Sequence, residues 1–385
     1  MQEILNLAMP RSSKKISKLV MQEFRILANK KSRGETMKVS SLRRAVLCSA
    51  VLILGGFAFA GQPEGGYHLL KKYDLGPAPG GKEYWDYITF DSSTRRLFIS
   101  HNTEVKVVDA DSGAVVGSIP DLKRVHGIAL VADLGRGFIS DGGADEVVVF
   151  DMKTLKVSGH IKTGGNPDCI IYDPASKHVF TMNGKSNDSS VIDPASATVV
   201  GTIPMGGRPE YAVADGKGMI YDNIEDKNEV VALDSRSLTI KARWPIAPAE
   251  EATAMDMDVP HRRLFIGGRN KVLAIMDADN GEVIQTFPIG AGVDTNIYEP
   301  ATGFVFTAAR EGRLHIFHED SPDKFSVVQT IQTELGARNM ALDPGTHKLF
   351  IDTADFTPAA APSTEQPNPQ PTPVSGTFRL LVYGR

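Results

Sequence analysis

Short runs of β-branched and aromatic residues alternate with turn-forming residues along most of the chain. Runs such as 147–150 and 199–203 are rich in valine and isoleucine and are too short for helices. Runs of this kind predict β-strands. The Asp-Pro and Asp-x-x-x-Gly steps between them favour tight reversals, because proline presets φ and aspartate bonds to nearby backbone amides. The pattern predicts an all-β protein.

The runs recur with a regular period. Two apolar residues followed by aspartate return at intervals of 42, 42, 41 and 43 residues, ending at Asp109, Asp151, Asp193, Asp234 and Asp277. A second landmark, an apolar triplet, keeps the same phase and is centred on Phe98, Phe138, Phe180, Ile220, Phe265, Phe306 and Phe350. Units of about 40–45 residues with four strands each are typical of propeller blades.

The second landmark occurs seven times and therefore predicts seven blades. The run 378–383 supplies a third strand for the seventh blade, and the segment 67–75 resembles the outermost strand of the others. We expect these two segments to pair, so that an N-terminal strand closes the ring and leaves no open sheet edge. The predicted fold is an all-β, seven-bladed β-propeller of four-stranded blades, a single domain over residues 61–385.

Residues 37–60 have the pattern of a secretory signal peptide. Basic residues precede an apolar stretch at 45–57, and Ala-Phe-Ala at 58–60 provides the small residues that precede cleavage. The apolar stretch is shorter than the roughly 20 residues that a membrane span needs, and no later segment approaches that length. We therefore expect a periplasmic or secreted protein without a membrane span after cleavage. A retained N-terminal anchor is the alternative.

Residues 1–36 precede that signal and are basic. They are either a basic tail or an artefact of the assigned start, with translation beginning at Met37. Without residues 1–60 the chain keeps 31 Lys and Arg against 43 Asp and Glu, a formal net charge of −12 against −4 for the whole sequence. An acidic surface repels phosphate backbones, so we expect no nucleic-acid partner. Cys169 is the one cysteine that remains, and its apolar neighbours predict a buried structural thiol.

A proline-rich insert interrupts the seventh blade at 356–377. Proline cannot donate to a sheet ladder. We expect a loop between the second and third strands of this blade, either disordered or placed as a flap over the propeller mouth.

One unit of the repeat resembles a known family. Residues 179–184 read Val-Phe-Thr-Met-Asn-Gly, followed by Ser-Val-Ile-Asp at 190–193 and Gly-Gly-Arg-Pro at 206–209. This order is similar to the YVTN-family β-propeller repeat of YncE-like exported bacterial proteins, in which a Tyr-Val-Thr-Asn strand precedes Val-Ile-Asp and a Gly-x-x-Pro loop. The resemblance extends over about 80–381. It implies a propeller and leaves the ligand open, because one fold serves many functions.

Aligning the repeats assigns equivalent positions at the entry to the innermost strands. Each position lies five residues before the acidic residue of the turn that follows the innermost strand, or before the residue that replaces it. The side chain at this position should face the central channel. Six of the seven are ionisable, and the full set is Asp86, His126, Asp168, Glu210, Thr253, Asp294 and Arg338. We predict that these residues, the channel ring, bind a ligand at the upper mouth of the channel. Arg269 and Arg310, in loops expected on the same face, are weaker candidates.

Two interpretations of the channel ring stay open. A solvated channel mouth needs polar lining and no further function. Alternatively, the carboxylates Asp86, Asp168, Glu210 and Asp294 are suited to a divalent cation such as Ca²⁺, with His126 as acid or base. Arg338 would disfavour a metal nearby and would suit an anionic group.

The sequence contains no complete set of catalytic residues. It has no Gly-x-Ser-x-Gly elbow, His-Glu-x-x-His, phosphate-binding loop or Cys-x-x-Cys. The favoured hypothesis is an exported non-enzymatic propeller that binds a small ligand or protein partner at its upper mouth. The alternative is a divalent-metal-dependent hydrolase similar to lactonase propellers. A quinone-dependent dehydrogenase is less favoured, because such blades carry recurring tryptophans and this chain has two.

Overall fold

Seven four-stranded antiparallel sheets follow one another in a computed structural model of the chain, which describes residues 65–359 and 369–385. The predicted signal peptide, the segment before it and the middle of the proline-rich insert lie outside these residues. In each sheet the innermost strand contacts the innermost strands of both neighbouring sheets, so the sheets close into a ring around a channel. The seven-bladed propeller predicted from the repeat is confirmed.

Each of the first six blades is an up-and-down meander of consecutive strands. A strand that belongs to the last blade comes first, and blades one to three follow as β1 (His68–Asp74); β2 (Trp85–Asp91), β3 (Arg96–His101), β4 (Glu104–Asp109), β5 (Val115–Ile119); β6 (Val125–Val131), β7 (Arg136–Asp141), β8 (Glu146–Asp151), β9 (Val157–Lys162); β10 (Pro167–Asp173), β11 (His178–Asn183), β12 (Asp188–Asp193), β13 (Thr198–Pro204). Blades four to six are β14 (Pro209–Ala214), β15 (Met219–Ile224), β16 (Glu229–Asp234), β17 (Thr239–Pro245); β18 (Ala252–Asp258), β19 (Arg263–Gly268), β20 (Val272–Asp277), β21 (Val283–Pro288); β22 (Val293–Glu299), β23 (Phe304–Ala309), β24 (Arg313–Ser321), β25 (Lys324–Gln332). Short 3₁₀ turns lie at Pro79–Gly81, Ala132–Leu134, Gly142–Ala144 and Glu225–Lys227.

The seventh blade is built from both ends of the described chain. It contains β26 (Met340–Asp343), β27 (Lys348–Thr353) and β30 (Arg379–Gly384), with β1 as its outermost strand. β1 pairs antiparallel with β30, from His68 opposite Gly384 to Asp74 opposite Arg379. The predicted closure by an N-terminal strand is therefore confirmed, and it ties the start of the propeller to its end.

The proline-rich insert leaves the seventh blade after β27 and returns before β30. Its two ends pair as the short strands β28 (Phe356–Thr357) and β29 (Thr372–Pro373). Phe356 packs edge-on against Trp85 of blade one, with ring centroids 6.0 Å apart. The insert therefore starts on the propeller body.

The repeated aspartates act in the turn after each third strand. Asp109 accepts a hydrogen bond from the backbone amide of Ser112 at 2.8 Å, and Asp151 accepts one from Thr154 at 2.7 Å. Asp234 and Ser237 repeat this contact at 2.8 Å. This is the local bonding that favours aspartate in tight reversals, and it explains why the residue returns in blades one to five.

The hydrophobic core lies between blades. The aromatic residues of the second strands are fully buried, among them Phe98, Phe180 and Phe350. Trp85 packs against Phe378 of the seventh blade with ring centroids 5.3 Å apart, so it joins the first blade to the last. No helix among residues 65–359 and 369–385 is both long enough and apolar enough to span a membrane.

Candidate functional site

All seven residues of the channel ring line one cavity, with a volume of about 470 Å³, at the entry to the innermost strands. The fold therefore brings together the side chains that alignment of the repeats singles out. That the cavity binds a ligand stays a prediction.

A bulge in the innermost strand places six of the seven ring residues, all but Arg338. In blades one to six the register between the first and second strands shifts at this position, for example between Trp85 and Ile88 and between Ala252 and Ala254. One extra residue bends the strand and re-aims a side chain. The same shift occurs around His126, Asp168, Glu210 and Asp294.

Three ring residues form a hydrogen-bonded cluster. His126 Nδ1 lies 2.7 Å from Asp86 Oδ2 and 3.4 Å from Asp168 Oδ1. The hydroxyl of Tyr84 donates to Asp86 Oδ2 at 3.0 Å and lies 3.1 Å from His126 Nδ1. The other imidazole nitrogen, Nε2, is buried without a hydrogen-bond partner among the described residues, close to the backbone of Gly142. His126 therefore directs one nitrogen at two carboxylates.

The electrostatics of this cluster follow from burial and like charge. Burial alone would lower the pKa of His126, but the charges of Asp168 and Asp86 outweigh it and raise the pKa to about 9. Burial, with the charges of Asp86 and Asp294, raises the pKa of Asp168 to about 7. Burial and the charge of Asp168 also raise the pKa of Glu210 well above its usual range. Near neutral pH, the cavity therefore holds an imidazolium beside carboxyl groups that keep protons unusually well.

The remaining ring residues are held by neighbouring blades. Arg338 Nε donates to Asp294 Oδ2 at 2.5 Å, and its Nη2 donates to the backbone oxygen of Trp85 at 3.2 Å. Thr253 donates to the backbone oxygen of Val293 at 2.6 Å. Thr253 thus supports the neighbouring strand, whereas Arg338 and Asp294 form an ion pair on the cavity wall.

Sequence reasoning missed most of the cavity rim. The rim carries exposed cations, namely Arg124, Lys185, Arg208 and Arg269. Arg208 and Arg269 both contact the buried Glu225, at 2.6 and 3.2 Å, and the Arg124 guanidinium lies 5.2 Å from the centre of the Tyr84 ring. Arg269 was a weaker candidate from the sequence and does line the cavity, whereas Arg310 is not among the lining residues. Arg124 and Arg208 each lie two residues before the ring residue of their blade, so this equivalent position in the aligned repeats is the signal that could have found them. Lys185 lies in the loop between β11 and β12.

Two tyrosines close the cavity below. Tyr87 of blade one and Tyr211 of blade four stack with ring centroids 5.5 Å apart. Tyr87 lines both the upper cavity and a second cavity of about 750 Å³ further along the channel. The stacked pair therefore separates a polar upper cavity from a lower one lined by residues such as Phe90, Ile171 and Val213.

The structure does not gather the four carboxylates of the alternative metal site into one coordination group. Among the described residues, the ring members whose ligand atoms lie within 4.8 Å of one another are Asp86, His126 and Asp168. Glu210 is outside that group, and Asp294 is paired with Arg338. Cys169 is a buried free cysteine, and burial raises the pKa of its thiol, which fits the predicted structural role.

Comparison with known proteins supports the fold and leaves the family open. No protein-family model matches the chain, so the resemblance to YVTN propellers is not confirmed.

WD repeat-containing protein 82 of Drosophila melanogaster is 25% identical over 144 residues, which cover 35% of this chain and 45% of that protein. The match thus spans less than half of the relative. A solved chain of hydrazine synthase from Kuenenia stuttgartiensis has a TM-score of 0.62 at 16% identity, covering 72% of this chain and 93% of its own. A chain of the mitotic checkpoint complex has a TM-score of 0.64 at 15% identity, covering 84% and 94%. At these identities the structural likeness shows the β-propeller fold alone.

Proposed function

We propose that this chain is an exported, non-enzymatic binding propeller that takes a small polar ligand in its upper cavity. One observation carries the proposal. Seven equivalent strand positions, six of them ionisable, converge on a single cavity that is large enough for a small molecule. A channel mouth that only needed hydration would not require an ion pair, an imidazolium and carboxyl groups with raised pKa values at the same level.

The charges around the cavity indicate the chemistry of the ligand. Asp86, Asp168 and Glu210 lie inside, below the exposed cations of the rim. The carboxyl groups of Asp168 and Glu210, whose pKa values are raised, both donate and accept hydrogen bonds near neutral pH, which suits hydroxyl or amino groups. Arginine and lysine at the rim suit a carboxylate or phosphate. A small hydroxy acid or amino acid satisfies both sets.

The position of His126 argues for binding rather than acid–base catalysis. A general base must be neutral and within reach of substrate. His126 has a pKa raised to about 9, its Nδ1 faces two carboxylates, and its Nε2 is buried. This histidine therefore serves as a fixed positive charge.

The test is a thermal-unfolding screen of the full chain with hydroxy acids, amino acids, sugar phosphates and neutral sugars. A ligand of the proposed class raises the midpoint by mass action, since it binds the native state alone. Glu210→Gln should abolish the rise, and Asp133→Asn, an exposed carboxylate in a 3₁₀ turn, should retain it. A hit that is unaffected by Glu210→Gln, or no hit among the charged ligands, would contradict the proposal. Export is tested separately by N-terminal sequencing, with cleavage expected after Ala60.

A second candidate function, a divalent-metal-dependent hydrolase of the lactonase type, has one favourable observation. Asp86, His126 and Asp168 offer ligand atoms within 4.8 Å of one another, and one nitrogen with two oxygens suits a divalent ion. On this alternative, lactone cleavage should require added Ca²⁺, Mn²⁺ or Zn²⁺ and should be lost with EDTA and in Asp168→Asn. No cleavage with any ion leaves the binding propeller.

A further inference from the structure

The hairpin of blade six departs from the repeat. Its strands β24 and β25 have nine residues each, whereas the third and fourth strands of the other blades have five to seven. Arg263 of blade five holds the tip, donating from Nε to the backbone oxygen of Pro322 at 2.8 Å and from Nη2 to Asp323 Oδ1 at 2.6 Å. The extra length therefore reaches blade five and is fixed there.

The long hairpin brings Glu319 to the turn of blade five. His261 Nδ1 lies 2.6 Å from Asp258 Oδ2 and 3.1 Å from Glu319 Oε1. The three side chains offer one nitrogen and two carboxylate oxygens within 4.8 Å of one another. Asp258 and His261 share the turn after β18, and Glu319 completes the group from the next blade.

Burial separates the roles of the three residues. The side chains of Asp258 and Glu319 are 1% and 4% exposed, whereas that of His261 is 49% exposed. Two buried carboxylates this close repel each other unless a proton or a bound cation neutralises them. The imidazole is the side of the cluster that faces solvent, so an ion could enter past it.

One oxygen of the cluster is not satisfied by hydrogen bonding. Glu319 Oε1 is buried, and among the described residues it has the ion-pair contact with His261 Nδ1 at 3.1 Å but no well-oriented hydrogen bond. Glu319 Oε2 accepts a hydrogen bond from the Tyr298 hydroxyl at 2.6 Å. A carboxylate that binds a metal is usually held in place by hydrogen bonding, while an oxygen faces the metal and the other ligands. Glu319 has this arrangement, since Tyr298 holds one of its oxygens.

We propose that Asp258, His261 and Glu319 form a Zn²⁺ site that joins blades five and six. Imidazole with carboxylate oxygens suits zinc, while an all-oxygen set would be expected for Ca²⁺ or Mg²⁺. Water completes the coordination on the exposed side. The site is independent of the upper cavity, because Asp258 ends β18 whereas the ring residue Thr253 lies near its start.

The experiment uses the full chain, stripped with EDTA and dialysed, with Zn²⁺, Ca²⁺ or Mg²⁺ added separately. Zn²⁺ at 100 times its Kd should raise the unfolding midpoint by about 4 °C for a propeller of this size. Ca²⁺ and Mg²⁺ should give a smaller shift. Co²⁺, used as a coloured substitute, should give visible absorption bands that report a nitrogen and oxygen ligand set.

Paired variants locate the site. Glu319→Gln keeps the shape of a buried side chain, and His261→Ala changes a half-exposed one, so at least one of them should fold. Either variant should lose the Zn²⁺ shift and the Co²⁺ bands, while His160→Gln, which changes an exposed histidine outside both clusters, keeps both. A Zn²⁺ response that survives in Glu319→Gln or His261→Ala, or one that is absent from the unmodified chain at millimolar Zn²⁺, would overturn the proposal.

Discussion

Replacing His126 by glutamine should destabilise the propeller in acid and far less in alkali. His126 is 2% exposed and lies between Asp86 and Asp168. Glutamine has similar polarity and no charge, so the variant removes the imidazolium that neutralises the two carboxylates. The effect should follow the protonation of the native histidine.

The size of the effect follows from the pKa of His126. Its pKa rises from 6.5 to about 9 in the folded state, so the folded protein binds the proton more tightly than the unfolded chain. The resulting stabilisation is complete below pH 6.5 and is lost as the pH rises through 9. At ~1.36 kcal/mol per pH unit between the two values, it amounts to about 3 kcal/mol. The raised pKa of Asp168 also makes the folded protein less stable as the pH rises. The difference in free energy of unfolding between wild type and variant therefore reports the histidine better than the pH dependence of either protein alone.

The assay is urea unfolding of both proteins at 25 °C from pH 6 to 9.5. The free-energy difference between them should fall by about 3 kcal/mol across this range. His160→Gln, on an exposed part of an outer strand, is the matched control and should change stability by less than about 0.5 kcal/mol at every pH. A difference between wild type and His126→Gln that stays constant with pH, or an imidazole that titrates near 6.5 by NMR, would refute the reasoning.

The other predictions concern packing and pairing. Arg338→Met leaves Asp294 without its partner and should cost about 3 kcal/mol in urea unfolding, and adding Asp294→Leu should recover most of it. Trp85→Ala removes packing between the first and last blades and should cost about 3–5 kcal/mol; a loss below about 1 kcal/mol would show that the closure does not depend on it. Cys169 should react with a thiol reagent at least about 100-fold faster in denaturant than in the native protein, because the thiol is buried and its pKa is raised; equal rates would place it at the surface.

The fold was predictable because each landmark does the same work in the blades where it occurs. Aspartate bonds the turn after the third strand, as at Asp109 and Asp151. An aromatic residue of the second strand fills the space between blades, as at Phe98. Local turn chemistry and burial repeat with the strands, so their period can be counted without a structure. Closure by β1 was predictable for the same reason, since its segment has the pattern of an outermost strand.

The positions of the channel ring were predictable, and the details of its cavity were not. The ring residue has the same position in the repeat of every blade, so aligning the repeats finds it. The bulge that turns Asp86 or His126 toward the channel leaves no mark in the sequence, because it changes only how two strands pair. The stack of Tyr87 on Tyr211 joins blades on different sides of the channel, and no local pattern encodes a contact across the axis.

Departures from the repeat are therefore the most informative positions in this chain. A residue that recurs in every blade has a role in the blade itself, whereas ligand chemistry needs different side chains at equivalent positions. The channel ring fits this rule, since one strand position carries aspartate, histidine, glutamate, threonine and arginine. The hairpin of blade six fits it as well, because its added residues carry Glu319 to Asp258 and His261. In both places the repeated fold fixes where the side chains lie. The residues that differ from the repeat provide the groups that could bind a ligand or a metal ion.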